Sequence, residues 1–223
     1  MKIIAKIHTD FKEKFGIPRQ SGIADELIGR IVFEPEYRVP EAIRGLDGYS
    51  HIWLIWQFSE AQRDTWSPTV RPPRLGGNRR MGVFATRAPY RPNPIGLSSV
   101  RLEKIEHTEN DGEVLIVRGA DLLDGTPIYD IKPYLAYTDS HADAIGGFAD
   151  PVRDYEVKVE FPEHLLSLIS KERRSPLIKI LSCDPRPSYQ DDQTREYGMK
   201  FADYEIFFVV VNGTLIVTKV ELL

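Results

Sequence analysis

Seven arginines set in a stretch free of aspartate, glutamate and lysine are the first chemistry this sequence offers: Arg71, Arg74, Arg79, Arg80, Arg87, Arg91 and Arg101, between Thr65 and Leu102. The stretch contributes +7 to a 223-residue chain whose net charge is −4, which leaves −11 for everything else. Guanidinium stays charged and presents a planar fork that fits phosphate or carboxylate, whereas ammonium is a hydrated point charge. The same stretch holds six prolines and four glycines, among them Gly76-Gly77. These residues bias the backbone toward extended segments and tight turns and exclude a long helix. Forks on stiffened loops suit a polyanion, so RNA, a nucleotide or a nucleotide-like cofactor is the implied ligand. The plainer alternative is a solvated arginine surface on a proline-rich connection.

Other chemically capable residues are dispersed. Pro18-Arg19-Gln20 stands in a charged loop, and Asp124-Gly125 reads as a turn whose carboxylate can accept hydrogens from a ribose or an ammonium. Pro92-Asn93-Pro94, with Tyr90 nearby, and Asp184-Pro185-Arg186-Pro187-Ser188-Tyr189 each place an amide or carboxylate near an aromatic ring, with proline fixing the backbone. Five scattered histidines show no metal-ligand spacing, so no metal is expected. His51 reads as a core histidine and the single Cys183 as a small buried residue. One cysteine and no apolar leader point to the cytoplasm.

The elements that must position these groups are short strands. Alternation predicts strands over 3–7, 27–33, 81–86, 97–107 and 113–118, with the aromatic run Tyr49 to Phe58 as a central strand buried on both faces. Val39 to Leu46 fits one short helix, and Asp121 to Tyr137 reads as turn-rich. No helical pattern of crossover length separates the strands and no GxGxxG follows one, which disfavours a wound parallel sheet. The expected fold is mainly β: an N-terminal single-sheet antiparallel β-barrel with short helices over 1–145, and a small α+β C-terminal domain over 146–223, the division falling in the polar segment Ser140 to Asp154. That second part contains helices near Leu165 and Leu177, and a hairpin turning at Asn212-Gly213.

TVRPPRLGGNRRMGVFATRAPYRPNPIGLS closely resembles the signature of the TsaA-like, or TrmO, family of S-adenosylmethionine-dependent tRNA methyltransferases. Lys12 to Gln20, Arg44-Gly45-Leu46, Ser50 to Trp53, Asp121 to Pro127 and Asp130 to Tyr134 resemble family motifs in family order, and Asp184 to Tyr189 resembles the motif of the bacterial C-terminal extension. The resemblance implies methylation of the exocyclic N6 amine of a threonylcarbamoyl-modified adenosine beside the anticodon, a tRNA anticodon stem-loop as partner, and a homodimer. It implies cofactor contacts at Pro18, Arg19, Gln20, Arg87, Leu97, Asp124, Gly125, Thr126 and Pro127. Where the family commonly has His-Gln, this chain has Ser59-Glu60, whose backbone could still contribute. Phosphate and substrate contacts are assigned to Arg71, Arg74, Arg79, Arg80, Arg91, Asp184 and Tyr189, and acceptance of the amine hydrogens to Asn93, inside the arginine stretch and six residues from Arg87. A non-catalytic RNA-binding module explains the arginines equally well. A nucleotide hydrolase fits less well, because the sequence has no GxxxxGK[ST] loop.

Overall fold

Alternating apolar and polar residues build the first sheet. In the computed structural model, which describes residues 1–61, 65–72, 75, 79–186 and 192–223, strands β1 (Ala5–His8), β2 (Ile28–Phe33), β3 (His51–Gln57), β6 (Ile95–Thr108), β7 (Gly112–Arg118) and β8 (Thr126–Pro133) pair antiparallel in the order β1-β2-β7-β6-β3-β8. The last strand returns to the first, Ala5 opposite Ile128 and Ile7 opposite Thr126, so the sheet closes on itself. Ile7, Ile31, Ile52, Leu54, Val100, Leu115, Val117 and Ile128 point inward and are fully or nearly buried. Each such aliphatic side chain contributes about 1.5–3 kcal/mol on leaving water, so this closed layer of Ile, Leu and Val dominates the sheet's stability.

A second sheet runs in the order β10 (Tyr197–Phe201), β11 (Tyr204–Val211), β12 (Thr214–Leu222) and β9 (Lys158–Glu160), the last pair parallel. Two helices follow β9, α2 (Glu163–Leu166) and α3 (Lys171–Ser182), while α1 (Ala136–Asp139) precedes it. Leu177, Ile180 and Leu181 give α3 one buried stripe at i, i+3 and i+4. Asn212 and Gly213 both have positive φ, 49° and 77°, as a two-residue turn matched to strand twist requires. Among the described residues the remaining strands, β4 (Thr69–Val70) and β5 (Met81–Gly82), pair with each other and form the base of the arginine-bearing hairpin.

Several expectations are corrected. The strand over 81–86 ends after Gly82 and becomes a 3-10 turn, Val83–Ala85. Val39 to Leu46 is not one helix: 3-10 turns at Pro40–Ile43 and Leu46–Gly48 are separated by an extended Arg44 and by Gly45 at φ 85°. The aromatic strand is buried on one face, since Ile52, Leu54 and Trp56 alternate with partly exposed residues, and His51 is exposed beside Ser50. Cys183 is only partly buried. The turn-rich segment after Asp121 contributes β8, which completes the ring despite Pro127 and Pro133. The loop after β1 is not freely exposed either. Phe11, Ala24 and Leu27 belong to the core of the second sheet, and Phe15 lies near-parallel to both Tyr197 and Phe208, at 6.4 and 6.3 Å.

Candidate active site

Where the loop after β1 meets the segments flanking β6 and following β7, polar side chains from distant parts of the sequence converge. Arg87 Nη1 donates to Gln20 Oε1, Gln20 Nε2 donates to the Arg19 carbonyl, and Arg19 Nη2 donates to the Asp184 carbonyl at 3.4 Å. Beneath them lies a relay that starts on β3. Trp56 Nε1 donates to Ser98 Oγ at 3.0 Å, and Ser98 Oγ donates to Asp121 Oδ1 at 2.6 Å. The direction is fixed because an indole N–H can only donate, which leaves the serine hydrogen for the carboxylate. Gly96 makes the relay possible: a Cβ there would lie 2.2 Å from Trp56 Cε2, so only glycine lets the indole lie flat against β6. Burial holds the Asp121 carboxyl above its ordinary pKa. The Ser98 hydroxyl, the Asp121 and Ser21 backbone amides and the charge of Arg87 pull it down without cancelling that effect.

Asp124 has a different role. Its Oδ1 accepts from the Thr9 amide at 3.1 Å and faces His8 Nδ1 at 3.3 Å, while Oδ2 accepts from Lys12 Nζ at 3.0 Å. Burial opposes ionisation, but Lys12, the Thr9 amide and the nearby His8 outweigh it and hold this carboxyl below the usual range. The carboxylate therefore anchors the loop that carries Pro18, Arg19 and Gln20. Gly125 follows at φ 76°, with nothing within 4 Å of where a Cβ would stand, and its amide donates to the Ile7 carbonyl at 2.8 Å. Thr126 is buried with its hydroxyl on the Leu123 carbonyl, Pro127 pairs across from Lys6, and Pro18 is buried. Ser59 and Glu60 form an exposed 3-10 turn held to the same loop by Lys14, which donates to the Glu60 carbonyl at 2.7 Å and lies 3.2 Å from its carboxylate. Leu97 points outward from β6, 54% exposed.

The arginines divide between two settings. Arg71, Arg79 and Arg80 are exposed on the β4–β5 hairpin, where Arg80 Nη1 reaches Thr69 Oγ1 at 3.5 Å. Arg91 donates to the Thr86 carbonyl at 3.1 Å, bracing the loop that carries Arg87. Asn93 is exposed, and its backbone carbonyl already accepts from the Ile95 amide at 2.8 Å. Asp184 is nearly buried, with its carboxylate gripped at both oxygens by Arg186 at 2.8 and 2.9 Å and approached by Tyr155 Oη at 3.3 Å. Arg74 and Tyr189 lie outside the described residues.

Gln20 with Arg87, and Asp124 with the loop after β1, are thus joined. Asp121, Ser98 and Ser21 belong to the site and were not singled out from sequence. The only hint was Asp121 opening the segment that ends in Asp124-Gly125, since a serine on a strand gives no chemical signal. Two concavities, one beside Asp47, Tyr49 and Leu102 and one beside Ile23, Glu26 and Pro176, do not include these groups. A guanidinium can meet an anionic group, and the open backbone at Gly125 leaves room for close approach of a ligand.

A closed antiparallel sheet with a small polar-ligand site beside an arginine hairpin defines a nucleotide-handling class distinct from Rossmann enzymes. The tRNA-methyltransferase O N-terminal domain model matches residues 6–140 and the TrmO C-terminal domain model matches 154–223. The chain belongs to the tRNA-methyltransferase O family. It is 38% identical to the tRNA (adenine(37)-N6)-methyltransferase of Escherichia coli, over 98% of this chain and 96% of that protein. It is 43% identical to the putative S-adenosylmethionine-dependent methyltransferase RcsF of Pseudomonas aeruginosa, over 91% of this chain and 89% of that one. The crystal structure of TrmO from Pseudomonas aeruginosa superimposes with a TM-score of 0.77 at 35% identity, covering 98% of this chain and 97% of that one.

Proposed function

We propose that this chain is an S-adenosylmethionine-dependent tRNA methyltransferase acting on the N6 amine of adenine 37. The observation that carries the reading is nearly end-to-end similarity to the Escherichia coli enzyme of that name, across both family models. The site supports it. Arg87, with Gln20 beside it, faces the ligand's carboxylate; Arg19 lies in the same loop; Leu97 packs on its adenine; and the Asp124 to Pro127 turn and the Ser59-Glu60 backbone close the rim. Pro18, buried in the same loop, contributes to the cofactor contact. The methyl donor supplies a group already activated by its sulfonium, so the protein's task is in-line placement of the acceptor nitrogen.

On the same reading, Arg71, Arg74, Arg79, Arg80 and Arg91 hold anticodon-loop phosphates, where an unpaired adenine turns outward at modest cost. Asn93 stands by the acceptor amine. Asp184, held at both oxygens by Arg186, stands with Tyr189 as the substrate contact of the C-terminal segment. We take the closed sheet as a single-sheet barrel, the molecule as two domains divided near residue 146, and the working form as a cytoplasmic homodimer. Incubation with labelled S-adenosylmethionine and total tRNA, followed by nucleoside analysis, should place label in N6-methylated adenosine at position 37. RNA binding with no label transferred and no heat of cofactor binding would leave only a non-catalytic RNA-binding module.

A further inference from the structure

Four carboxylates lie around the candidate site, and three are committed. Asp124 holds Lys12 and His8, Glu60 holds Lys14, and Asp184 holds Arg186. Asp121 differs: among the described residues it forms no ion pair, its Oδ1 is fixed by Ser98, and Ser98 is fixed by an indole that Gly96 holds in place. Nothing in the packing of the sheet requires a charge here. A carboxylate enclosed within the field of Arg87 but bonded to no cation among the described residues, and oriented by the Ser98 hydroxyl and backbone amides, is arranged to receive a proton or hydrogen-bond a donor that arrives with a ligand.

Resting on the methyltransferase reading, we infer that Asp121 is the catalytic residue that takes the proton from the adenine's exocyclic nitrogen, with Ser98 as its positioning residue. The nitrogen forms its bond to the methyl carbon as the carbon–sulfur bond breaks, and that bond's electron pair stays on sulfur. The N–H electron pair remains on nitrogen, and the proton moves to the Asp121 carboxylate and then to water. The charges balance, since the sulfonium becomes a neutral thioether while one proton is released. Burial favours this role, because a carboxylate kept above the ordinary range holds a proton better than a solvated one.

The variants for the test are Asp121→Asn, which keeps shape and loses basicity, and Ser98→Ala, measured beside the parent with saturating S-adenosylmethionine and tRNA. The single-turnover rate of Asp121→Asn should fall by roughly 10²-fold or more, with both affinities within a few-fold of the parent. A readout apart from turnover is the binding of sinefungin, in which an amine replaces the methylsulfonium. The parent should prefer it to S-adenosylhomocysteine, and Asp121→Asn should cut that preference by about tenfold, the loss of one charge-assisted hydrogen bond. Ser98→Ala should move the acidic limb of the pH–rate profile upward, because the hydroxyl that favours the charged form is gone. The charged side chain acting on Asp121 is Arg87, whose protonation is constant over that range. If the parent methylates and Asp121→Asn keeps its rate, or loses cofactor affinity as steeply as rate, Asp121 is not the proton acceptor. An unmoved acidic limb in Ser98→Ala also overturns the assignment, and it decides the matter should Asp121→Asn fail to fold. An inactive parent would instead sink the methyltransferase reading itself.

Discussion

Arg87 and Asp124, both proposed as cofactor contacts, differ in how much of the fold each supports. Arg87 bonds to the flexible Gln20 side chain, whereas Asp124 ties Thr9, Lys12 and His8 to the turn before β8. Arg87→Ala should therefore weaken S-adenosylmethionine binding by about 1.5–3 kcal/mol and leave thermal stability nearly unchanged, by calorimetry of binding and of unfolding. Asp124→Asn should lower both. Its pH dependence has a definite sign: a carboxyl whose folded pKa is depressed contributes stability that is complete above its unfolded value and is lost as pH falls through the folded one. The destabilisation of Asp124→Asn relative to the parent should accordingly be complete at neutral pH and shrink below about pH 4. A pH-independent difference would show that the anchor is steric rather than ionic.

At the scale of elements, the hairpin β4–β5 presents arginines without acidic neighbours in sequence and turns two aromatic rings, Trp66 and Phe84, outward with centroids 6.2 Å apart. Replacing Arg79 and Arg80 together by alanine should flatten the slope of log affinity for tRNA against log salt by about one unit for each phosphate the variant no longer neutralises, without altering cofactor binding. A double variant with the parent's slope would show that neither arginine grips a phosphate. Composition marked this stretch as an arginine-bearing loop, but not as a hairpin, whose two-residue strands are too short to show a pattern. Strands β2 and β11 were legible because their faces alternate, β7 because its Val-Leu-Ile-Val run is a short apolar stretch after a polar turn, and β12 because it follows the Asn212-Gly213 turn. Strand β8 was not, since Pro127, Asp130 and Pro133 punctuate it and only pairing with both β1 and β3 makes it a strand. For the same reason Asp121 stayed hidden: its neighbours Ser98 and Trp56 are 23 and 65 positions away and meet it only when the sheet closes.

For the whole molecule, the second sheet is more than an appendage, because the loop bearing Pro18, Arg19 and Gln20 is clamped against it. Arg173 on α3 grips both oxygens of Asp10 at 3.1 Å, the Ala202 amide donates to the Asp10 carbonyl at 2.7 Å, and the Lys200 amide donates to Glu13 at 2.9 Å. Gly16 completes the clamp. It stands at φ 93°, where side chains are strained, and a Cβ there would fall 2.2 Å from Met199 Sδ on β10. Arg173→Ala should cost about 1–3 kcal/mol, the range for a partly buried bidentate pair that leaves Asp10 unpartnered, and Gly16→Ala should cost at least as much through backbone strain and overpacking. If the clamp positions the cofactor loop, both variants should also raise the dissociation constant for S-adenosylmethionine at temperatures where they remain folded, since the loop must then be ordered by the ligand itself. The tRNA salt slope, expected to depend on the hairpin arginines, should stay where it was. Differential scanning calorimetry with titrations of both ligands separates these effects: lost stability with unchanged cofactor affinity would make the second sheet a stabilising layer only, with no part in shaping the site.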